Sequence, residues 1–389
     1  MKVVVAPDSY KDALSASGAA AAMAQGVRNA WPESQIIECP LGDGGEGTLD
    51  ALLCLEGIEL KTLQVNDALG RKKQARWGLH HVGDGKSAAI VELAEAAGLQ
   101  DIAPEERDAR ITSTFGVGQL IKEALDHRVD QILLTLGGSA TNDGGAGMLQ
   151  ALGGQLLDRE GKPLPPGGIA LAQLSYIDLS GLDPRLRQTQ VQAAVDVSSP
   201  LTGPKGASHV FGAQKGASPR DIERLDKALT RLADYTANVL GADYRAVAGA
   251  GAAGGMGFAA KAFLNADLRP GIELVTEQIG FEQLLADTDL LIVGEGALDA
   301  QSLGGKTPVG AARIAKRMNI PCIALVGHLG DGWQQAHEEG ITAAFALSEG
   351  VTTLSVALDQ TAKHLTSRSA EIIRLWRASN RQGQLHQAH

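Results

Sequence analysis

Residues 289–327 read DLLIVGEGALDAQSLGGKTPVGAARIAKRMNIPCIALVG. Leu290–Val293 is a short apolar run of strand-forming residues. A glycine-rich loop follows, and Pro308–Met318 then has the spacing of a helix. Cys322–Val326 is a second apolar run. Strand, loop, helix, strand within so few residues is the signature of a parallel crossover unit. The rhythm continues outward, with a helix over Gly332–Glu339, a strand over Ala343–Leu347 and a long final helix through about Leu354–Ala378. It also stands at the other end of the chain. Residues 2–6 form a strand. Ser15–Ala30 is an alanine-rich helix capped near Ser15 or Ser17 and stopped by Pro32, Gln35–Cys39 is a strand and Thr48–Leu55 a helix. Five strands alternating with helices imply a parallel sheet covered on both faces, in the flavodoxin-like order 2-1-3-4-5. Its switch point lies between the first and third strands, which here end at Asp8–Lys11 and Glu295–Asp299. The two loops are remote in sequence and are expected to meet in space.

The middle of the chain reads differently. Val65–Trp77 and Ala88–Glu92 look like paired strands around the turn GDGK at 83–86. Thr114–Asp126 is helical, Gln131–Leu136 and Gln190–Val195 are strands, and Ser218–Leu240 is an amphipathic helix. The expected organisation is a discontinuous flavodoxin-like α/β domain, residues 1–62 and 286–389, with an inserted mixed α/β domain at 63–285. The terminal QGQLHQAH is expected to fray.

The loops carry the chemistry. LLTLGGSATNDGGAGMLQALG, residues 133–153, ends a strand in Gly137-Gly138, adds Ser139, Thr141, Asn142 and Asp143, and enters a helix through three glycines. Glycines let the backbone approach a ligand closely, and N–H groups at a helix start face anions. Loops of the same kind are APDSYKD (6–12), PLGDGGEGT (40–48), DVSSPLTGPKG (196–206), FGAQKGAS (211–218), GAGAAGGMG (249–257) and GEGALDAQSLGGK (294–306). Each couples glycine to an acid, a lysine or a hydroxyl. The net charge is −10, yet Lys11, Lys205, Lys215 and Lys306 all lie in these loops, so the site concentrates positive charge that the surface lacks. No basic run supports nucleic-acid binding. No apolar stretch is long enough to span a membrane, and MKVVVAPDS is no signal peptide, so a cytoplasmic protein is expected. Cys39, Cys54 and Cys322 form no metal or redox pattern and read as buried or half-buried residues.

The chain resembles the type-1 glycerate kinase family from Met1 to about Gly330. The resemblance rests on APDSYKDALSA, GDGGEGT, GGSATNDGGAGMLQALG, DLSGLDPRL, FGAQKGAS, GAGAAGGMG, LRPGIE and GEGALDAQSLGGK. Two positions depart from the family pattern: Ala297 stands where an arginine is usual, and Gly304 where a histidine is usual. The resemblance implies two unlike α/β domains around a cleft that holds the site. It implies phosphorylation of D-glycerate by ATP with Mg2+, favouring 2-phosphoglycerate; a monomer or homodimer is expected. Phosphoryl transfer is largely positioning and charge neutralisation. The expected catalytic residues are accordingly Asp196, as base or magnesium ligand, with Asp8 and Lys11. Ser139, Thr141, Asn142, Lys215, Glu295, Asp299 and Lys306 are expected to hold substrate and phosphate, and Asp43 and Asp143 the metal.

Other readings remain open at this level. Residues 300–307, AQSLGGKT, nearly fit a P-loop, but a strand ending near Val293 leaves too early for one. Gly249, Gly251 and Gly254 fit a dinucleotide fingerprint that follows a charged helical stretch instead of a strong strand. Ala297 and Gly304 keep alive a non-catalytic relative that binds the acid without turning it over. A nicotinamide enzyme is the more distant alternative.

Overall fold

A computed structural model describes residues 1–53, 57–83, 85–348, 350 and 352–387. The chain forms two compact units. One comprises Met1–Asp43, Asp50–Leu55 and Ile272–His389, and the other Gly44–Leu49 and Glu56–Gly271.

In chain order, the first unit contributes β1 (Lys2–Pro7) and β2 (Gln35–Glu38). The second contributes β3 (Ile58–Asn66), β4 (Lys72–Gly83), β5 (Lys86–Glu92), β6 (Gln131–Thr135), β7 (Gln155–Leu157), β8 (Tyr176–Asp178), β9 (Gln190–Ala194) and β10 (Asp267–Arg269). The first unit resumes with β11 (Leu290–Leu298), β12 (Cys322–Leu329) and β13 (Ile341–Ala346).

The first unit is built on one all-parallel sheet in the order β13-β12-β11-β1-β2. Renumbered within the sheet this is 2-1-3-4-5, the order the βα rhythm implies. β1 and β11 carry apolar residues on both faces because helices cover both, and Val3, Val4, Val5 and Leu290–Val293 have no exposed surface. The helix Ala16–Ala30 starts at Ser15, whose hydroxyl accepts the Gly18 N–H. Its small residues admit close packing of the C-terminal helix Thr361–Gln387: a Cβ at Gly26 would lie 2.3 Å from the Thr366 carbonyl oxygen.

The second unit carries a six-stranded mixed sheet, β10-β9-β6-β5-β4-β3, and the small antiparallel pair β7 and β8. β5, β6, β9 and β10 are parallel to one another, while β3 and β4 extend the sheet as an antiparallel meander.

Several local expectations fail for identifiable reasons. Val65–Trp77 is not one strand: Asp67 accepts N–H groups of Leu69 and Arg71, folding a turn between β3 and β4. Because β3 pairs with β4 from Ile58 onward, residues 58–62 lie with the second unit, and Ile272–Leu285 lie with the first. The final helix is two, Leu354–Asp359 and Thr361–Gln387, and the helix expected over Gly332–Glu339 is a short 3₁₀ turn, Trp333–His337. Gln382–Gln387 continue the C-terminal helix, whereas Ala388 and His389 of the expected frayed tail lie outside the described residues. So do Cys54, the end of the Thr48–Leu55 helix, and Asp84 of the GDGK turn. Cys39 and Cys322 are buried. Among the described residues no helix is long and apolar enough to cross a membrane.

Candidate active site

In the first unit the switch point assembles as the strand order requires. Asp8 N donates to the Gly294 carbonyl at 2.8 Å, joining the end of β1 to the middle of β11. One Asp8 oxygen accepts the Ser9 N–H at 2.6 Å and the other accepts the Thr307 hydroxyl. Desolvation, reinforced by the nearby Asp43 carboxylate, raises the Asp8 pKa above the ordinary aspartate range. Glu295, on the exit half of β11, is 8% exposed, and its Oε1 has no hydrogen-bond partner. Its pKa is pushed up to about 7 by burial; Ser302 and Lys306 oppose this, and Asp8 and Asp43 add to it. Three carboxylates thus crowd one strand-end region, with the Lys306 charge acting on Glu295. Asp43 ends the first stretch of this unit, after which the chain enters the second.

Tyr10 and Thr307 escaped the sequence reading. Tyr10 is buried, and its hydroxyl donates to the Leu325 carbonyl at 2.6 Å. Burial, with the Glu295 and Asp8 charges, raises its pKa well above normal. Only a glycine fits beside it, since a Cβ at Gly294 would lie 2.2 Å from its Oη. The signal for Thr307 was its position directly after Lys306, at the start of the helix Thr307–Arg317.

β11 runs to Leu298, not Val293, so the argument from strand length against a P-loop at 300–307 falls. A different observation takes its place. Gly304 N, Gly305 N and Lys306 N donate to the carbonyls of Gln301, Ser302 and Ser302, so these amides close turns and are not aimed at a ligand. Asp299 serves this turn, its Oδ1 accepting from Gln301 N and Ser302 N. That geometry fits a loop cap better than the phosphate contact expected for it. Lys11 is exposed, with its backbone N 3.8 Å from where a Cβ of Gly296 would stand. Ala297 is exposed, and a Cβ at Gly304 would meet open space, so neither departure disturbs the packing.

In the second unit the SATND loop leaves β6 beside the end of β9. Gly137 N donates to the Gly44 carbonyl, and a Cβ at Gly44 would lie 2.5 Å from the Ala194 Cβ. Glu92, at the end of β5, holds the rest of the GDGGEG loop through Gly47 N and Leu49 N, each at 2.9 Å. Thr141, Asn142 and Asp143 have no exposed surface and Ser139 retains 8%. Lys215 is 2% exposed; its Nζ donates to the Thr141 carbonyl at 2.7 Å and lies 2.8 Å from Ser139 Oγ. Burial lowers its pKa to about 7, with Asp143 opposing. Asn142 donates to Ser208 Oγ, whereas Asn142 Oδ1 and Thr141 Oγ1 are buried without partners.

Asp143 does not fit the expected role of metal ligand. Its oxygens accept from Thr114 N, Thr114 Oγ1, Gly145 N and Gly147 N, at 2.8–3.1 Å. Burial raises its pKa against those donors, and the carboxylate is committed to holding the loop. Asp196 lies in the loop after β9, exposed, with Oδ1 accepting from Gly271 N at 3.0 Å. Gly249, Gly251 and Gly254 form no dinucleotide turn. They let one loop press on another: a Cβ at Gly254 would lie 1.9 Å from the Thr141 carbonyl oxygen. Among the described residues no group of three His, Cys, Asp or Glu side chains is arranged to hold a metal by itself.

Comparison with known proteins agrees with this architecture. The model of the glycerate kinase family matches residues 3–377. A glycerate kinase of Bacillus subtilis (strain 168) is 42% identical over 372 residues, covering 96% of this chain and 97% of the relative. A glycerate 2-kinase of Escherichia coli (strain K12) is 45% identical over 357 residues, covering 92% and 93%. The crystal structure of a proposed glycerate kinase 2 from Salmonella typhimurium LT2 superposes with a TM-score of 0.86 at 45% identity, covering 98% of this chain and 99% of that one. The chain belongs to the glycerate kinase family.

Proposed function

We propose that the protein transfers the γ-phosphoryl group of ATP to the 2-hydroxyl of D-glycerate. The crowding of Asp8, Asp43 and Glu295 beside Lys306 and Thr307 at the switch point carries this reading on a chain of this family. Oxygen donors that repel one another suit a hard divalent cation, and magnesium commonly takes one or two carboxylates together with substrate phosphates. Asp8 and Asp43 would hold it. When bound, the ion neutralises phosphate charge as the terminal phosphorus–oxygen bond breaks.

The chain's own residues do the remaining work. Thr307 orients Asp8, and the Tyr10 hydroxyl ties the loop after β1 to Leu325 of β12, packing over Gly294 next to Glu295. Lys306 and Lys11 supply positive charge to phosphate. In the second unit, Ser139 offers its hydroxyl to the hydroxy acid, the buried Thr141, Asn142 and Lys215 hold that loop in place, and Asp196 is a further carboxylate at a strand exit. Cytoplasmic residence and a monomer or homodimer remain part of the same proposal.

Coupled detection of ADP release in the presence of D-glycerate tests the reading. Glycerate-dependent release that needs magnesium supports it. Tight binding of the acid without release would favour the non-catalytic relative that Ala297 and Gly304 suggest.

A further inference from the structure

Lys215 is the most deeply buried cation of the second unit, and phosphate or acid binding does not explain its surroundings. Its hydrogen bonds go to a hydroxyl and a carbonyl, neither of them charged. The nearest carboxylate with an effect on it, Asp143, already accepts four hydrogen bonds. Arg107 packs against the adjacent Gly216 and donates to the Ile102 carbonyl, while His209, on the neighbouring helix Ala207–Phe211, faces Asp226. An ammonium here has the Asp143 carboxylate as its one counter-charge, and full burial outweighs it. Nζ stands as donor to both oxygens, and a neutral amine fits the same 2.8 Å separation: one N–H still donates to the Thr141 carbonyl, and the Ser139 hydroxyl turns to donate to the nitrogen lone pair. The Ser139 oxygen then keeps its lone pairs free to accept a proton. Among the polar residues at 139–143 it alone keeps exposed surface.

We propose that Ser139 and Lys215 form a proton relay for the hydroxyl that is phosphorylated. Ser139 Oγ takes the substrate hydroxyl proton as its own proton moves to Lys215 Nζ. The substrate O–H bond breaks while its oxygen bonds to the γ-phosphorus, and the bond from that phosphorus to ADP breaks. One proton enters Ser139 and one leaves it, so the serine is unchanged, and the resulting ammonium gives its proton back by way of Ser139 once the product has left. The same pairing of a serine with a neutral lysine activates nucleophiles on unrelated folds. This inference rests on the kinase reading above and names the group that accepts the proton. It moves that role away from Asp196.

The test is the pH dependence of kcat in the unaltered enzyme and in Lys215→Met, Lys215→Arg and Ser139→Ala, with ATP binding and thermal unfolding as checks on folding. The unaltered enzyme should lose rate on the acidic side with a midpoint near the lysine value of about 7. That midpoint should move to lower pH on warming, as amine ionisation does and carboxylate ionisation does not. Lys215→Met and Ser139→Ala should lower kcat by about 10²–10⁴-fold with KM for glycerate little changed. Lys215→Arg should fail to rescue, since arginine keeps the charge and cannot give up its proton. Activity of Lys215→Arg within tenfold of the unaltered enzyme would make the lysine an anion contact and overturn the relay. So would a temperature-insensitive acidic limb in the unaltered enzyme, a reading that needs no variant to fold. If the unaltered enzyme turns over no glycerate, the kinase reading fails and the relay with it. Turnover without the acidic limb removes the relay alone.

Discussion

Glu295 carries a burial penalty that depends on pH. Its carboxyl titrates near 4.5 when exposed and near 7 when folded, so between these values the folded chain binds more protons than the unfolded one. Its penalty is absent below the ordinary glutamate range and complete above about pH 7. Glu295→Gln removes the penalty. It should raise Tm near about pH 8 by a few degrees, at roughly 2–4 °C per kcal/mol for a domain of this size, and the gain should shrink toward about pH 5. Scanning calorimetry at several pH values checks this; a gain independent of pH would mean that burial of charge is not the cause. Lys215 works in the opposite pH range. Its folded pKa lies below the unfolded one, so its contribution improves as pH rises from about 7 toward 10.5. Asp196 separates two accounts of the proton. The sequence favours it as base because it follows a strand and opens a lysine-bearing glycine loop. With the relay in place, Asp196→Asn should cost less than tenfold in kcat, well short of the loss expected of a general base. A larger loss in steady-state kinetics would restore Asp196 to that role. The sequence offers Ser139 and Lys215 as candidates because each lies in a glycine-rich loop. Their pairing was not legible, because 76 positions separate them and only the packed fold brings Nζ to Oγ.

At the scale of elements, the parallel sheet was readable because its strands are apolar on both faces and alternate with helices. Turns that rely on side chains were not. Asp67 folds the chain between β3 and β4 by accepting backbone N–H groups, and no hydrophobic period reports that. The extent of β11 was misjudged because Gly294-Glu295-Gly296 resembles a loop, whereas Glu295 and Ala297 pair with Val326 and His328 of β12. The glycines of GAGAAGGMG have a packing role. Ala253, Gly254 and Gly255 run consecutively in the left-handed region, with φ of 51°, 67° and 94°. Two substitutions there should act in opposite directions. Gly254→Ala places a methyl against the Thr141 carbonyl and should cost more than about 2 kcal/mol while disordering the Ser139 loop. Ala253→Gly relieves an L-residue of the left-handed conformation and should add about 0.5–1 kcal/mol. Denaturant titration measures both. A neutral Gly254→Ala would show that the two loops are not packed as described.

At the scale of the molecule, the chain leaves the first unit after its second strand, builds a complete mixed α/β unit and returns for three more strands. That interruption was legible as a break in rhythm; its ends were not, because β3 and the segment before β11 lack a composition of their own. If Asp8 and Asp43 hold magnesium with ATP, the ligand should stabilise the fold by mass action, about 2.7 kcal/mol at a hundredfold excess over Kd. Thermal shift should rise with MgATP, rise less with ATP in the presence of a chelator, and lose the difference in Asp8→Asn. Equal shifts with and without magnesium would remove these carboxylates from the metal.

Phosphorus NMR of the product formed from ATP and D-glycerate tests the central claim most directly, because it reports transfer and position together. The account predicts loss of the ATP γ-signal and growth of a phosphomonoester coupled to one methine proton, as in 2-phosphoglycerate. A monoester coupled to two methylene protons, or an unchanged spectrum from folded protein with magnesium present, would contradict it.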